Sequence, residues 1–233
     1  MTTFPANSTA VLVHGAWADG SCWTNVIRPL KQEGLSVVCA PIPLTSLTDD
    51  IAALGRALER TSGPVVLAGH AYGGAVIQAA SDERVKSLVY VAALAPDEGE
   101  TVANVFYRDD PHPEAPKLAS DKHGYLWMAE EGFRGAVAHK ATPNLIEVMA
   151  AVQRPISIHC IQQPALTPAW KTKPTWYLLA EEDRMINPKT QRFMAERMGA
   201  TIRSVPADHS PMYMEPKLVI GIILEAARAT LAR

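Results

Sequence analysis

Cysteine is scarce in this chain: Cys22, Cys39 and Cys160 are the only three, an odd number with no C-x-x-C spacing. A disulfide framework or a cysteine-based zinc site is therefore not expected, and the thiols read as buried groups of a reducing compartment, the cytoplasm. An excess of charge is also missing. The 22 Lys and Arg residues against 24 Asp and Glu give a formal charge of −2, with the basic residues scattered, so there is no field to attract nucleic acid. No apolar run approaches the roughly 18 residues of a membrane span, and residues 1–7 carry neither a basic nor an apolar leader pattern. Metal-ligand spacings such as His-x-x-x-His are absent as well. What remains, 233 residues with 48% hydrophobic and 20% charged, is the composition of an ordinary globular chain with one sizeable core.

Short apolar runs alternate with longer helical patterns. Ala10 to Val13, Ser36 to Ala40, Pro64 to Ala68, Val85 to Ala92, Pro174 to Ala180 and Thr201 to Val205 read as strands. Between them, Trp23 to Glu33, Leu47 to Arg60 (opened by Thr45 or Ser46) and Gly74 to Ala80 read as helices, with a last helix at Lys217 to Leu231. Such alternation predicts an α/β fold with a mostly parallel sheet covered by helices on both faces. Residues 101–172 break the pattern: Pro, His, Trp and Met are frequent, several pieces look helical, and no buried strand is evident. The expected organisation is a single domain, 1–233, with a core of 1–100 and 173–233 and a helical cap at 101–172.

The most telling absence is a serine. Gly69-His70-Ala71-Tyr72-Gly73 fits the strand-to-helix turn G-x-S-x-G, with alanine where the nucleophilic hydroxyl would stand. Residues after other strands complete a recognisable set, because open parallel sheets place their sites at the carboxyl ends of strands. His14-Gly15-Ala16-Trp17 follows the first strand, and the amides of Ala16 and Tyr72 are candidate donors to a developing oxyanion. Asp183, in Glu181-Glu182-Asp183-Arg184, is the candidate carboxylate, ahead of Glu181, Glu182 and Asp208. His209, between the last strand and the last helix, is the candidate base. His70, His112, His123, His139 and His159 are read as structural or surface residues.

With Val11-Leu12-Val13-His14-Gly15-Ala16-Trp17, the elbow, and Asp208-His209 followed by Met212, the chain resembles the α/β-hydrolase superfamily. The branch it resembles holds plant methylesterases, hydroxynitrile lyases and small bacterial carboxylesterases. The resemblance implies the α/β-hydrolase fold with an inserted helical cap, hydrolysis of carboxylic esters without a cofactor, and a small apolar pocket under the cap. It places Ala71 at the nucleophile position, Asp183 and His209 as acid and base, and Ala16 and Tyr72 as oxyanion amides. Ser210 stands where the lyases of this branch use a lysine, which counts against a lyase of that kind.

Trp17, Tyr125, Trp127, Met128, Trp170 and Met212 are candidates for the pocket wall, although the aromatic and sulfur residues of 101–172 suit a cap core equally well. Three readings of Ala71 stay open. The site is a hydrolase lacking only its nucleophile, or an enzyme in which the His209–Asp183 pair is a general base, or a binder of small molecules. Retention of acid, base and oxyanion turn together favours the first two. The expected partner is a small, mainly apolar ester, with no nucleic acid, membrane or metal. The last helix packs on its own sheet or, alternatively, also against a second copy in a homodimer.

Overall fold

A computed structural model describes residues 4–232. In chain order the elements are β1 (Thr9–Val13), α1 (Thr24–Gln32), β2 (Ser36–Ala40), α2 (Leu47–Leu58), β3 (Val65–His70), α3 (Gly73–Ile77) and β4 (Val85–Val91). An excursion follows, containing α4 (Val102–Phe106), β5 (Tyr125–Leu126), α5 (Glu130–Gly132), α6 (Pro143–Val152), β6 (Ile156–Ser157) and α7 (Ile158–Gln162). The chain then closes with β7 (Thr175–Ala180), α8 (Pro188–Arg197), β8 (Thr201–Val205), α9 (Pro211–Met214) and α10 (Pro216–Thr230).

Six strands form one sheet in the order β2-β1-β3-β4-β7-β8, every pair parallel. Parallel strands need crossovers, and the helices that make them cover both faces, which is why the inner strands are continuous apolar runs. Alternation divides each strand between two cores. Val11, Val13, Leu67 and Tyr177 face α2, α3 and α8, while Ala10, Leu12, Val66 and Leu178 pack with Trp23, Leu30, Ile222 and Ile223 from the α1 and α10 side. α10 thus spends its apolar face on its own sheet. The outer strand β8 carries Arg203 and Ser204 exposed, polar groups that blunt a free edge.

The strand ends expected at β2 and β8 coincide with those of the structure, and the remaining differences have local causes. Trp23 is not helical with α1 but ends a 3-10 turn, Gly20–Trp23. α2 starts at Leu47 because the Ser46 hydroxyl accepts the Asp49 amide at 3.0 Å. α3 stops at Ile77, where the Gln78 side chain turns to the Pro96 carbonyl and its main-chain carbonyl accepts the Ala169 amide. The excursion contains a strand pair after all: β5 and β6 are antiparallel, but two residues each are too short to show a period. No helix among the described residues is long and apolar enough to cross a membrane.

Candidate active site

The carboxyl ends of β1, β3, β7 and β8 carry the candidate residues at one edge of the sheet, with β4 lying between β3 and β7. Ala71 follows β3 with φ +49°, a left-handed conformation that costs a non-glycine residue roughly 1–3 kcal/mol. Its carbonyl repays part of this by accepting both the Gly74 amide (3.1 Å) and the Leu94 amide (3.0 Å). The turn also brings α3 against β1. A Cβ on Gly73 would lie 2.7 Å from the carbonyl oxygens of Val13 and His14, so only glycine permits that approach.

His209 Nδ1 lies 2.7 Å from Asp183 Oδ2, and both side chains are buried. Facing a carboxylate, Nδ1 carries the proton of the neutral ring, and Nε2 is left as the basic nitrogen. Asp183 is itself fully engaged. Its Oδ1 accepts the Met185 and Ile186 amides at 2.7 and 2.8 Å, and its Oδ2 also accepts the Gln191 side-chain amide at 2.7 Å. Gln191 is fixed in turn, accepting the Ala180 amide and donating to the Ile186 carbonyl. The other carboxylates near in sequence point elsewhere: Glu181 accepts from Ser204, Glu182 pairs with Lys140, and Asp208 accepts the amides of Lys140 and Ser210.

The two expected oxyanion donors are available. Neither the Ala16 nor the Tyr72 amide donates to another group among the described residues. Trp17, beside Ala16, is also left-handed (φ +57°), and its indole N–H donates to the Leu126 carbonyl at 2.9 Å, tying the excursion to the turn after β1.

Two cavities meet at this centre, sharing Ala16, Trp17, Ala71 and His209. The larger encloses about 520 Å³ including its open mouth and is walled by apolar groups such as Leu94, Phe106, Leu118, Leu126, Ile161 and Ile186. The second, about 390 Å³, is lined by Cys22, Phe133, Met149 and Met212 together with Ser210 and Tyr213.

Of the expected wall residues, Trp17 borders both cavities and Met212 the second, while four reach neither. Trp127 is 55% exposed with its indole on Asp121, and Tyr125 sits half-buried in β5. Met128 is buried beneath Gly132, and Trp170 is buried under the cations of Arg197 and Lys171. The aliphatic residues that do form the wall carry no chemical signature in sequence. His70, read as structural or surface, is buried, and its ring centroid is 4.8 Å from that of His209.

Residues 10–221 match the alpha/beta hydrolase family. Methylesterase 2 of Arabidopsis thaliana is 26% identical over 249 residues, covering 93% of this chain and 95% of that protein. A pyrethroid hydrolase from Sphingobium faniae JZ-2 superposes with a TM-score of 0.81 at 24% identity, covering 95% of this chain and 98% of the other. A variant of tomato methylketone synthase I, complexed with β-ketoheptanoate, superposes with a TM-score of 0.82 at 15% identity, covering 97% and 99%.

Proposed function

This chain belongs to the α/β-hydrolase family, and from that premise we propose that its site is a carboxylic-ester site complete except for the nucleophile. Small, mainly apolar esters bind with the carbonyl at Ala71 and one half of the molecule in each cavity. The observation that carries this reading is the Asp183 carboxylate, which accepts three hydrogen bonds from Met185, Ile186 and Gln191 and presents Oδ2 to His209 Nδ1 at 2.7 Å. A fold alone has no use for a base oriented this closely.

Without a hydroxyl at position 71 no acyl-enzyme forms. In serine hydrolases that loss costs on the order of 10⁶ in kcat, about 8 kcal/mol of barrier, and leaves roughly 10³–10⁴ over water from oxyanion donors and binding. Ester turnover by the native chain is accordingly close to nil. The free thiols Cys22, Cys39 and Cys160 suit the reducing cytoplasm as its place of work.

The same observation supports a second reading. An oriented imidazole facing an apolar cavity abstracts protons without needing a neighbouring serine, so His209 acts as general base on a bound water or on an acidic C–H beside a carbonyl. β-Keto acids contain such a C–H, and β-ketoheptanoate, the ligand of the tomato neighbour, is a reasonable probe of it.

The deciding experiment compares hydrolysis of a short-chain aryl ester by the native chain and by Ala71→Ser. A rise of several orders of magnitude on restoring serine supports the first reading. Equal, negligible rates reject it, and exchange of the C2 protons of β-ketoheptanoate for deuterium that is faster with the native chain than with His209→Ala, in heavy water, supports the second.

A further inference from the structure

Besides Asp183, two carboxylates among the described residues are entirely buried with neutral donors: Asp208, held by main-chain amides alone, and Asp50, which also takes side-chain donors. Asp50, in the first turn of α2, has no exposed surface. Its Oδ1 accepts the Leu44 amide at 2.7 Å, and its Oδ2 accepts the Tyr72 hydroxyl at 2.6 Å and the Cys160 thiol at 3.5 Å. Burial pushes both the Asp50 carboxyl and the Tyr72 phenol above their ordinary pKa values. Taking a carboxylate out of water costs several kcal/mol, and neutral donors offset it only where their geometry is good.

The donors come from three separate parts of the chain. Leu44 lies after β2 in a left-handed conformation (φ +62°), and its carbonyl accepts the Ser157 amide. Cys160 lies on α7, beside Ile161 of the larger cavity. Tyr72 is the residue after Ala71, and its amide is one of the two free donors at the site. Its ring borders the cavity, and its hydroxyl has Asp50 as hydrogen-bond acceptor.

We infer that Asp50 is a positioning residue: by holding the Tyr72 hydroxyl it fixes the side chain at its far end and so sets the direction of the Tyr72 amide toward the oxygen of a bound carbonyl compound. This rests on the reading that the Ala16 and Tyr72 amides receive that oxygen. Donors of this kind must be held within about 10–20° of the productive direction. A ring tethered at one end only does not provide that.

Two readouts test the inference. In the Ala71→Ser background, Tyr72→Phe and Asp50→Leu, which has no hydrogen-bond acceptor, are each expected to lower kcat on an aryl ester by about 10- to 100-fold with KM within about twofold. The double variant is expected to be no worse than either single one, because both break the same bond. A lowered Tm with kcat unchanged overturns the inference and leaves Asp50 a packing residue.

If Ala71→Ser is silent on esters, the proposed function fails separately and the second readout decides. Binding of hexanoate and of hexanamide, alike in shape and different in charge, is measured by calorimetry on the native chain at about pH 8.5, above the ordinary histidine range. The native chain is expected to prefer the anion, and Tyr72→Phe to lose about tenfold of that preference without weakening hexanamide. A preference unchanged in the variant, or absent from the native chain, overturns the inference. Tyr72→Phe removes one oxygen and carries both readouts should Asp50→Leu not fold.

Discussion

His70 donates its Nε2–H to the main-chain carbonyl of His209 at 2.7 Å. The residue before the nucleophile position therefore holds the loop that bears the base, and its side chain links the ends of β3 and β8 across the sheet. The bond fixes the proton on Nε2, while Nδ1 is buried without a partner and packed toward Gly15. Burial first, and then the neighbouring His209 ring, depress the His70 pKa well below the ordinary imidazole value. His14, at the end of β1, is lowered to about 4 chiefly by burial.

Acid sensitivity follows from these two rings. Below about pH 6.5 an imidazole takes up a proton in the unfolded chain but resists it in the fold. Their contribution to stability is therefore complete above that pH and is lost as the pH falls toward the folded value, about 4 for His14. Denaturant unfolding is expected to show a loss on the order of 3 kcal/mol from His14 alone between neutral pH and about pH 4. His14→Asn, which does not titrate, should flatten that slope.

Asp183→Asn in the Ala71→Ser background is expected to reduce kcat by about 10³–10⁴, because the imidazole loses the acceptor that sets its tautomer. His209→Ala should abolish whatever turnover the native chain retains. A full-strength Asp183→Asn variant, in steady-state kinetics on the aryl ester, would remove Asp183 from the orienting role.

Gln191→Leu deprives Asp183 Oδ2 of one donor and the Ala180 amide of its acceptor. A loss of about 1–3 kcal/mol in stability is expected from the unsatisfied amide. In the serine-restored chain kcat should fall about tenfold with an altered pH–rate profile, since the carboxylate then leans on His209 with one restraint fewer.

Gly15→Ala is expected to disturb the site directly. Its Cβ would stand 2.9 Å from the Ala71 Cβ and 3.1 Å from His70 Nδ1. A drop of about 1–3 kcal/mol in unfolding free energy and loss of esterase activity from the Ala71→Ser chain are the outcomes to look for.

The parts of this protein legible in sequence are those where local chemistry and global fold coincide. The β2 boundaries, the elbow and the Asp183 loop lie where apolar runs end in residues with special geometry, while β8, half-exposed at the sheet edge, shows only its β-branched Thr201, Ile202 and Val205. The excursion was opaque because β5 and β6 have two residues each, and α4, α5 and α7 at most five, too short for periodicity to register. Trp127 and Trp170 were open to assignment as pocket wall because aromatics serve core, surface and pocket alike, whereas the wall belongs to residues such as Leu94 and Ile186. Asp50 reads locally as an ordinary first-turn acid beside Asp49. Only the tertiary fold brings Tyr72 and Cys160 to it.

The excursion leaves after β4 and returns at β7, strands that are neighbours in the sheet. It rejoins the core through polar fastenings: Trp17 to the Leu126 carbonyl, the Ser157 amide to Leu44, the Lys140 amide to Asp208, and Ser210 to the Val137 carbonyl. Most of the wall-forming side chains between these points take no part in them. Exchange of those wall side chains thus leaves untouched both these fastenings and the other polar ties, such as Cys160 to Asp50 and the Ala169 amide to the Gln78 carbonyl, that hold the excursion to the core.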